Sequence, residues 1–468
     1  MLSADTQRTT ADLHAWPLGV LTSDELLQLH AAHPTRYPFL LESTAASLQG
    51  MNHDLLLAFP GARLELRADT GLSAKENPDL ARNGDFLDGL DQWWRQERIP
   101  EMDASWPFKG GWFVYLSYEL VQQIEPSLRA GMWPDRDQLI AQAVRIPAAL
   151  ERRSDTGESW FVTETGSDAV TGLQRVKDDL QQIRSRSAIQ PRIAVLALQE
   201  DPPEAFTDAV RTALGHIAAG DIYQANLSRR WHAEAAHDCA PALYSRLKTT
   251  NPAPFAALAQ LAPDHHLISS SPERLIELRG GWANTRPIAG TRPRHTDART
   301  DQALLDELHA HPKERAEHIM LLDLERNDLG RICVGGTVEV NEYMSIESYA
   351  HVHHIVSNVR GRVRSDVTPG QAIAAVFPGG TITGCPKIRC MEIIASLEQS
   401  ARGAYTGSMG YLNRDGSMDM NILIRTLELR GSQLDFRAGA GIVADSIPER
   451  ELDETRAKAL GLLRALQY

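Results

Sequence analysis

The sequence predicts a mixed α+β protein rich in antiparallel strands, and two observations carry that prediction. Short apolar or alternating runs recur on either side of turn-forming residues, as in DLLLAF, PGA and RLELRA, and again around Asp155-Thr156-Gly157. Helical periodicity is confined to longer stretches, of which Phe206, Val210, Ala213, Leu214 and Ile217, residues 311–331 and residues 449–466 are the clearest.

In chain order, PFLLES from residue 38 gives a short apolar strand. Two strands then flank a turn at Pro60 and Gly61, which reads as a hairpin. Residues 108–120, FKGGWFVYLSYEL, form a glycine-led aromatic strand, and SWFVTE returns from the Asp155-Thr156-Gly157 turn. A helix is expected over 168–185. The break in composition at 199–203, QEDPP, divides the chain into an N-terminal antiparallel-sheet region, 1–200, and a second region, 201–468.

Beyond it, a helix ends at Gly220 and DIYQANLSRRW alternates as a strand that turns Gln224 and Asn226 to one face. HHLISSS and RLIELR read as a strand pair with Ser271-Pro272-Glu273 between them and a turn at Gly280 and Gly281. The run YAHVHHIVSNVRGRV carries His351, His353 and His354; alternation puts the last two on opposite faces, one of them inward. NILIRTLELR and QLDFRAGAGIVADS form a hairpin about Gly431 and Ser432. Ser446 to Glu449 has the spacing of a capping box that opens the last helix.

The 468 residues suffice for two to four units at about 150 residues each. Lys and Arg number 48 against 61 Asp and Glu, a net charge of -13, which excludes a general nucleic-acid binder and requires any anionic substrate to be met by local groups. Cys239, Cys333, Cys385 and Cys390 include no C-x-x-C pair, so neither a disulfide framework nor a zinc site is expected. No apolar stretch reaches 18 residues and the start lacks a leader pattern; the protein is expected to be cytoplasmic and unanchored.

The chemistry concentrates in two helices. Glu314 and Glu317 lie three apart on one face, beside an apolar stripe of Met320, Leu321 and Leu324. A divalent cation of the Mg²⁺ kind, a neighbouring Arg or Lys, or solvent would each answer that charge. Glu451 and Glu454 repeat the spacing in the last helix, and four carboxylates brought together would favour the cation. Gly379 and Gly384 have the spacing of a phosphate loop, but Cys385 and Pro386 follow in place of Lys and Ser or Thr, which excludes a nucleotide-phosphate site.

DIYQANLSRRW, SSSPERL, TRPIAGTRPR, KERAEHIMLLDLERNDLGR, HVHHIVSNVRG, FPGGTITGCPKIRCMEII, MDMNILIRTLEL and AGAGIVADSIPERELDETRAKA, in that order, resemble the chorismate-utilising enzymes. The resemblance runs from about residue 206 to the end. It implies interleaved antiparallel β-sheets forming a sandwich flanked by helices, and a Mg²⁺-dependent enzyme. Carried over by position, Glu317 and Glu454 are the principal Mg²⁺ ligands, with Glu314 and Glu451 in the same cluster. Gly290, Thr291, Tyr405, Arg425, Gly439, Ala440 and Gly441, with Gln224 and Asn226, are substrate-binding. Glu273 matches the general acid, His354 the family's inward histidine, and Thr381 the position that holds a substrate hydroxyl.

Within the family, Asn226 and the block FPGGTITGCPK resemble aminodeoxychorismate synthase component I, which makes 4-amino-4-deoxychorismate for 4-aminobenzoate and folate. Ammonia would come from a glutamine amidotransferase subunit, because this chain has no cysteine in an amidotransferase-like motif. Ala289 stands where many such enzymes carry a nucleophilic lysine and instead resembles anthranilate synthase component I, the alternative. An inactive chorismate-binding or scaffold relative is the remaining one. Leu41, Glu42, Ser43, Asn251, Pro252 and Phe255 resemble segments that form a tryptophan pocket in some members; an ordinary strand and turn would use the same residues.

Overall fold

The computed structural model describes residues 8–9, 13–44, 53–102, 106–131, 135–166, 168–185, 195–236, 238–295, 297–310, 312–348 and 352–467. His351 and the side chains of Ala289, Thr291 and Glu314 lie outside the described set. Among the described residues the strands form two antiparallel sheets, one of thirteen strands and one of eleven. Helices cover their outer faces.

Alternation along the strands builds the layers. Phe39, on the strand Phe39–Glu42 of the larger sheet, points inward and stacks on Phe113 of the strand Gly111–Leu116 of the smaller sheet, ring centroids 3.7 Å apart and 7° from parallel. Leu55, Leu57, Val144, Ala257 and Met409 fill the same space between the sheets. Their neighbours point the other way: Leu40, Leu56, Leu258 and Leu427 meet the helices Ala169–Ser185, Ala240–Thr250 and Pro448–Leu466. Trp112, Val114 and Leu116 meet Phe86–Glu97 and Pro369–Val376. Burying one such side chain stabilises the fold by about 2 kcal/mol. The result is the helix-flanked sandwich of interleaved sheets expected from the resemblance.

Both sheets run across residue 200. Phe39–Glu42 pairs with Phe255–Ala262, and Gly111–Leu116 pairs with Ser408–Asn413. The 1–200 and 201–468 regions therefore share each sheet.

Three local expectations change. His53–Ala58 and Arg63–Arg67 do not pair; they belong to different sheets, so Pro60-Gly61 is a crossing and not a hairpin. The same is true of His265–Ser271 and Arg274–Arg279, and the Gly280-Gly281 turn instead joins Arg274–Arg279 to Trp282–Arg286. Turn residues mark a reversal without telling which sheet receives the next strand. Ser446 does not cap the last helix: Ile447 is the N-cap, and the Ser446 hydroxyl accepts from the Val443 amide at 3.0 Å.

The expected helix at 168–185 is present as Ala169–Ser185, and the hairpin about Gly431 and Ser432 joins Thr426–Arg430 to Gln433–Ile442. The 311–331 segment forms the helix Pro312–Gly330. Its inward face carries His318, Leu321, Leu322, Glu325, Asp328 and Leu329, while Met320 and Leu324 are only half-buried. The stripe thus holds more ionisable groups than its apolar spacing suggests.

Candidate functional site

The sheet crossing at Ser271-Pro272-Glu273 places Glu273 between the two sheets, 5% exposed. Its backbone is fixed on both sides: the Ser271 hydroxyl accepts from the Glu273 amide at 3.3 Å, and the Glu273 carbonyl accepts from the Ile422 amide at 3.0 Å. The Thr381 hydroxyl donates to Oε1 at 2.7 Å. Burial pushes the carboxyl up to about 7, partly offset by the Thr381 bond and by the charges of Arg425 and Lys458. An acid held near neutrality can deliver a proton where an exposed glutamate is already ionised.

His354 faces the same region. It lies on the strand Val352–Arg362, 2% exposed, with Nδ1 donating to the Gly290 carbonyl at 3.3 Å. Gly290 has φ +65°, which turns that carbonyl to the ring. Burial, with the Arg425 charge, holds the imidazole down to about 3, so it is neutral, and the bond to a carbonyl assigns the proton to Nδ1. His353 is buried as well, on the opposite face, against Ser348 and Asp301. The expected alternation is present, but both faces are interior.

A cradle of backbone closes the other side. The strand Gln224–Ala235 pairs with Gln433–Ile442, setting Asn226 against Gly441 and Ser228 against Gly439. A Cβ on Gly439 would come within 2.6 Å of the Tyr405 hydroxyl and 2.7 Å of Asn226 Oδ1. A Cβ on Gly441 would come within 2.5 Å of Gln224 Nε2 and 3.5 Å of Glu317 Oε1. Gln224 Nε2 donates to Glu317 Oε1 at 3.0 Å, and the Tyr405 hydroxyl donates to Asn226 Oδ1 at 3.5 Å. The two glycines therefore keep open a space edged by amides, a phenol and a carboxylate. Arg425, at φ +51°, has its carbonyl bonded by the Ser270 amide at 3.1 Å, and its charge acts on both Glu273 and His354.

The acidic helices border this cradle from two directions. Glu317 reaches it through Gln224. Glu454 is paired at 2.8 Å with Lys458, whose Nζ also donates to the Gly439 carbonyl at 3.1 Å. Glu451, 8% exposed, lies on the buried side of the last helix. Among the described residues no three His, Cys, Asp or Glu side chains are grouped to hold a metal. The Gly441 edge of the cradle carries the Gln224 carboxamide and one carboxylate, Glu317, the ligand type a hard dication takes.

Sequence reasoning did not single out Lys458 or Glu325. Lys458 follows Glu454 by four residues, one helical turn, and that spacing was the available signal. Glu325 lay concealed in a run of charges, DLERND. Its burial, like that of Asp328, which is ion-paired to Lys387, arises from the packing of this helix on the strands Ile288–Pro293 and Val352–Arg362, the helix Pro369–Val376 and the Gly380–Ile382 turn.

Leu41, Glu42, Ser43 and Phe255 line a separate cavity of about 140 Å³ between the sheets. Asn251 and Pro252 are not among its walls; Asn251 packs against Gly461 of the last helix. The Glu42 carboxylate is held by the Tyr244 hydroxyl at 2.6 Å and by Ser23.

A family model described as chorismate binding enzyme matches residues 38–464. The chain is 49% identical over 449 residues to anthranilate synthase component 1 of Thermus thermophilus, covering 94% of each. It is 39% identical over 402 residues to aminodeoxychorismate synthase component 1 of Bacillus subtilis, covering 83% of each. Of solved structures, it is similar to anthranilate synthase component I from Streptococcus pneumoniae, with a TM-score of 0.74 and 29% identity over 89% of this chain and 93% of that one.

Proposed function

The chain belongs to the family of chorismate-binding enzymes, and on that premise we propose that it is aminodeoxychorismate synthase component I, converting chorismate and ammonia to 4-amino-4-deoxychorismate. The observation that carries the chemistry is Glu273, a buried carboxyl raised to about 7 and bonded by the Thr381 hydroxyl. Hydroxide is a poor leaving group. Glu273 gives its proton to the departing ring hydroxyl, which leaves as water while ammonia forms the new carbon–nitrogen bond; the proton released from the resulting ammonium restores Glu273.

Arg425 and the amides beside Gly439 and Gly441 meet a substrate carboxylate, and neutral His354 offers a polar wall without adding charge. Mg²⁺ would be held by Glu317 and Glu454, with Glu314 and Glu451, and would supply neutralisation of substrate carboxylate charge. The Glu317 carboxylate at the Gly441 edge of the cradle supports that reading. Ammonia would come from a glutamine amidotransferase subunit. Burial pushes Cys239 and Cys333 up to about 11 and Cys390 to about 12, and raises Cys385, so none is a poised thiolate that would hydrolyse glutamine within this chain.

Amination at carbon 4 is favoured by Asn226, whose amide oxygen takes the Tyr405 hydroxyl at the cradle's edge in a block that resembles aminodeoxychorismate synthases. A second reading, anthranilate synthase component I, is favoured by Ala289 and by the 49% identity to the Thermus enzyme. A product assay separates them. Purified chain, chorismate, Mg²⁺ and ammonium are incubated with and without an aminodeoxychorismate lyase. 4-Aminobenzoate formed only with the lyase supports the first reading, whereas anthranilate and pyruvate formed without it establish the second. None of the described helices is long and apolar enough to cross a membrane.

A further inference from the structure

Beside the Tyr405 wall of the cradle lies a separate cavity of about 440 Å³ that the chemistry above does not use. Strand alternation builds it. Leu427, Leu429, Leu434 and Phe436 pack in the helix-side core, which turns Glu428, Arg430, Asp435 and Arg437 to the opposite face, the one that also carries Gly439 and Gly441. Arg230 joins them, opposite Arg437 in the register of Gln224–Ala235 with Gln433–Ile442. Tyr405 is the shared wall: it lines the cavity, while its hydroxyl donates to Asn226 at the cradle's edge.

Among the described residues five arginines and three carboxylates line this space, a positive wall in a chain whose net charge is -13. Arg402 and Arg437 are buried and share one carboxylate, Glu398, at 2.7 Å and 3.1 Å. Most of their other donors are taken by the protein, among them by the Asn226 carbonyl and the Ser228 hydroxyl. The remaining three arginines have donors to give. Arg230 turns Nε and Nη2 to a single oxygen of Asp435, at 2.8 Å and 2.7 Å, which leaves Nη1. Arg430 is held only by long ion pairs, to Asp135 at 3.5 Å and Glu428 at 3.6 Å. Arg136 is exposed and has no ion pair among the described residues. Two of the carboxylates are engaged instead: Arg230 holds Asp435, and His265 bonds Glu428 at 2.8 Å. Guanidiniums with open donors match the paired oxygens of a carboxylate or phosphate. The volume lies within the range of small-molecule sites, about 300–1,000 Å³, and is more than a bare ion needs.

We propose that this cavity is a second binding site, for a small organic anion bearing a carboxylate or phosphate, which Arg136, Arg230 and Arg430 hold while Arg402 and Arg437 supply a fixed positive field. Tyr405 separates it from the substrate cradle, so anion and substrate occupy different places. The site is independent of which reaction the cradle performs.

Titration calorimetry of the full chain with succinate and, separately, with inorganic phosphate tests this. Saturable heat is expected, with a Kd raised at least about tenfold by Arg430→Gln and by Arg136→Gln, since each withdraws charged hydrogen bonds. Heat from succinate alone assigns the site to carboxylates, and heat from phosphate alone to phosphates. Phenylglyoxal modification read by mass spectrometry places the anion: Arg136 and Arg430 should be protected in its presence. No saturable heat with either anion, a Kd unchanged in both variants, or protection confined to Arg425 overturns the proposal. Should Arg430→Gln not fold, Arg136→Gln, whose side chain lies in solvent, carries the comparison.

Discussion

The Thr381 hydroxyl donates a 2.7 Å hydrogen bond to Glu273 Oε1, joining two residues 108 apart in the chain. One stands at a crossing between sheets and the other in the Gly380–Ile382 turn. The bond favours the ionised carboxyl, against the burial that favours the neutral one. Thr381→Val should therefore raise the pH at which Glu273 titrates. It should also lower kcat about tenfold, since a hydrogen bond to such a group contributes about 1.5 kcal/mol. Glu273→Gln should lower kcat by about 10²–10⁴-fold with chorismate binding retained. Steady-state kinetics with a binding titration of the Gln variant checks both.

With Glu273 at about 7, turnover should fall as pH rises through neutrality, because the proton it must donate is lost. His354, held down to about 3, contributes no limb above that pH. A kcat profile in saturating chorismate and corrected for free ammonia tests this. A rate that climbs steadily to strongly alkaline pH after that correction would show that Glu273 is not the acid.

The backbone cradle responds to single methyl groups. Gly441→Ala would set its Cβ 2.5 Å from Gln224 Nε2, breaking the bond that steadies Glu317; Gly439→Ala would strike the Tyr405 hydroxyl and the Leu227 carbonyl. Each should reduce kcat/KM by at least about tenfold while the far-ultraviolet circular dichroism stays that of the parent. Gly441→Ala should in addition raise the Mg²⁺ concentration needed for half-maximal rate.

The three main helices were legible because their side-chain period survives in sequence, whereas Phe39, Leu40 and Leu41 read only as a short apolar run, because their alternate side chains enter two different cores. Sheet membership was not legible. Pro60-Gly61 looks like a hairpin turn, and HHLISSS and RLIELR look like a strand pair; only the pairing of distant strands makes Pro60-Gly61 and Ser271-Pro272-Glu273 crossings, the second of which creates the Glu273 site. The site's glycines, Arg425 and Glu317 are named through the resemblance, whereas Glu325 and Lys458 emerge from packing. Nothing in the spacing of DLERND distinguishes a buried glutamate from a solvated one.

The cavity near Ser43 supplies a further test. Leu41 and Phe255 give it apolar walls, and the Arg274 guanidinium is paired with Asp419 at 2.9 Å and 3.0 Å on one side. If it takes tryptophan, titration calorimetry should register saturable heat that Ser43→Arg abolishes without loss of chorismate turnover. No heat at millimolar tryptophan would leave the cavity as part of the packed core.

The buried acids also predict how stability varies with pH. Glu325 titrates at about 8 in the folded chain and near the ordinary glutamate value of 4.5 when unfolded. Between those values the folded state binds the extra proton, so stability falls as pH rises through the window and the loss is complete above about 8. Each tenfold difference in proton affinity between the two states corresponds to about 1.4 kcal/mol. Glu325→Gln cannot ionise and escapes this loss. At pH near 5 the variant should be no more stable than the parent, since both carry a neutral side chain there; toward pH 8 it should gain on the parent by a few kcal/mol. Parallel urea titrations at the two pH values measure the difference directly, and a stability gap that is the same at both would place the Glu325 carboxyl in contact with solvent or a cation when folded.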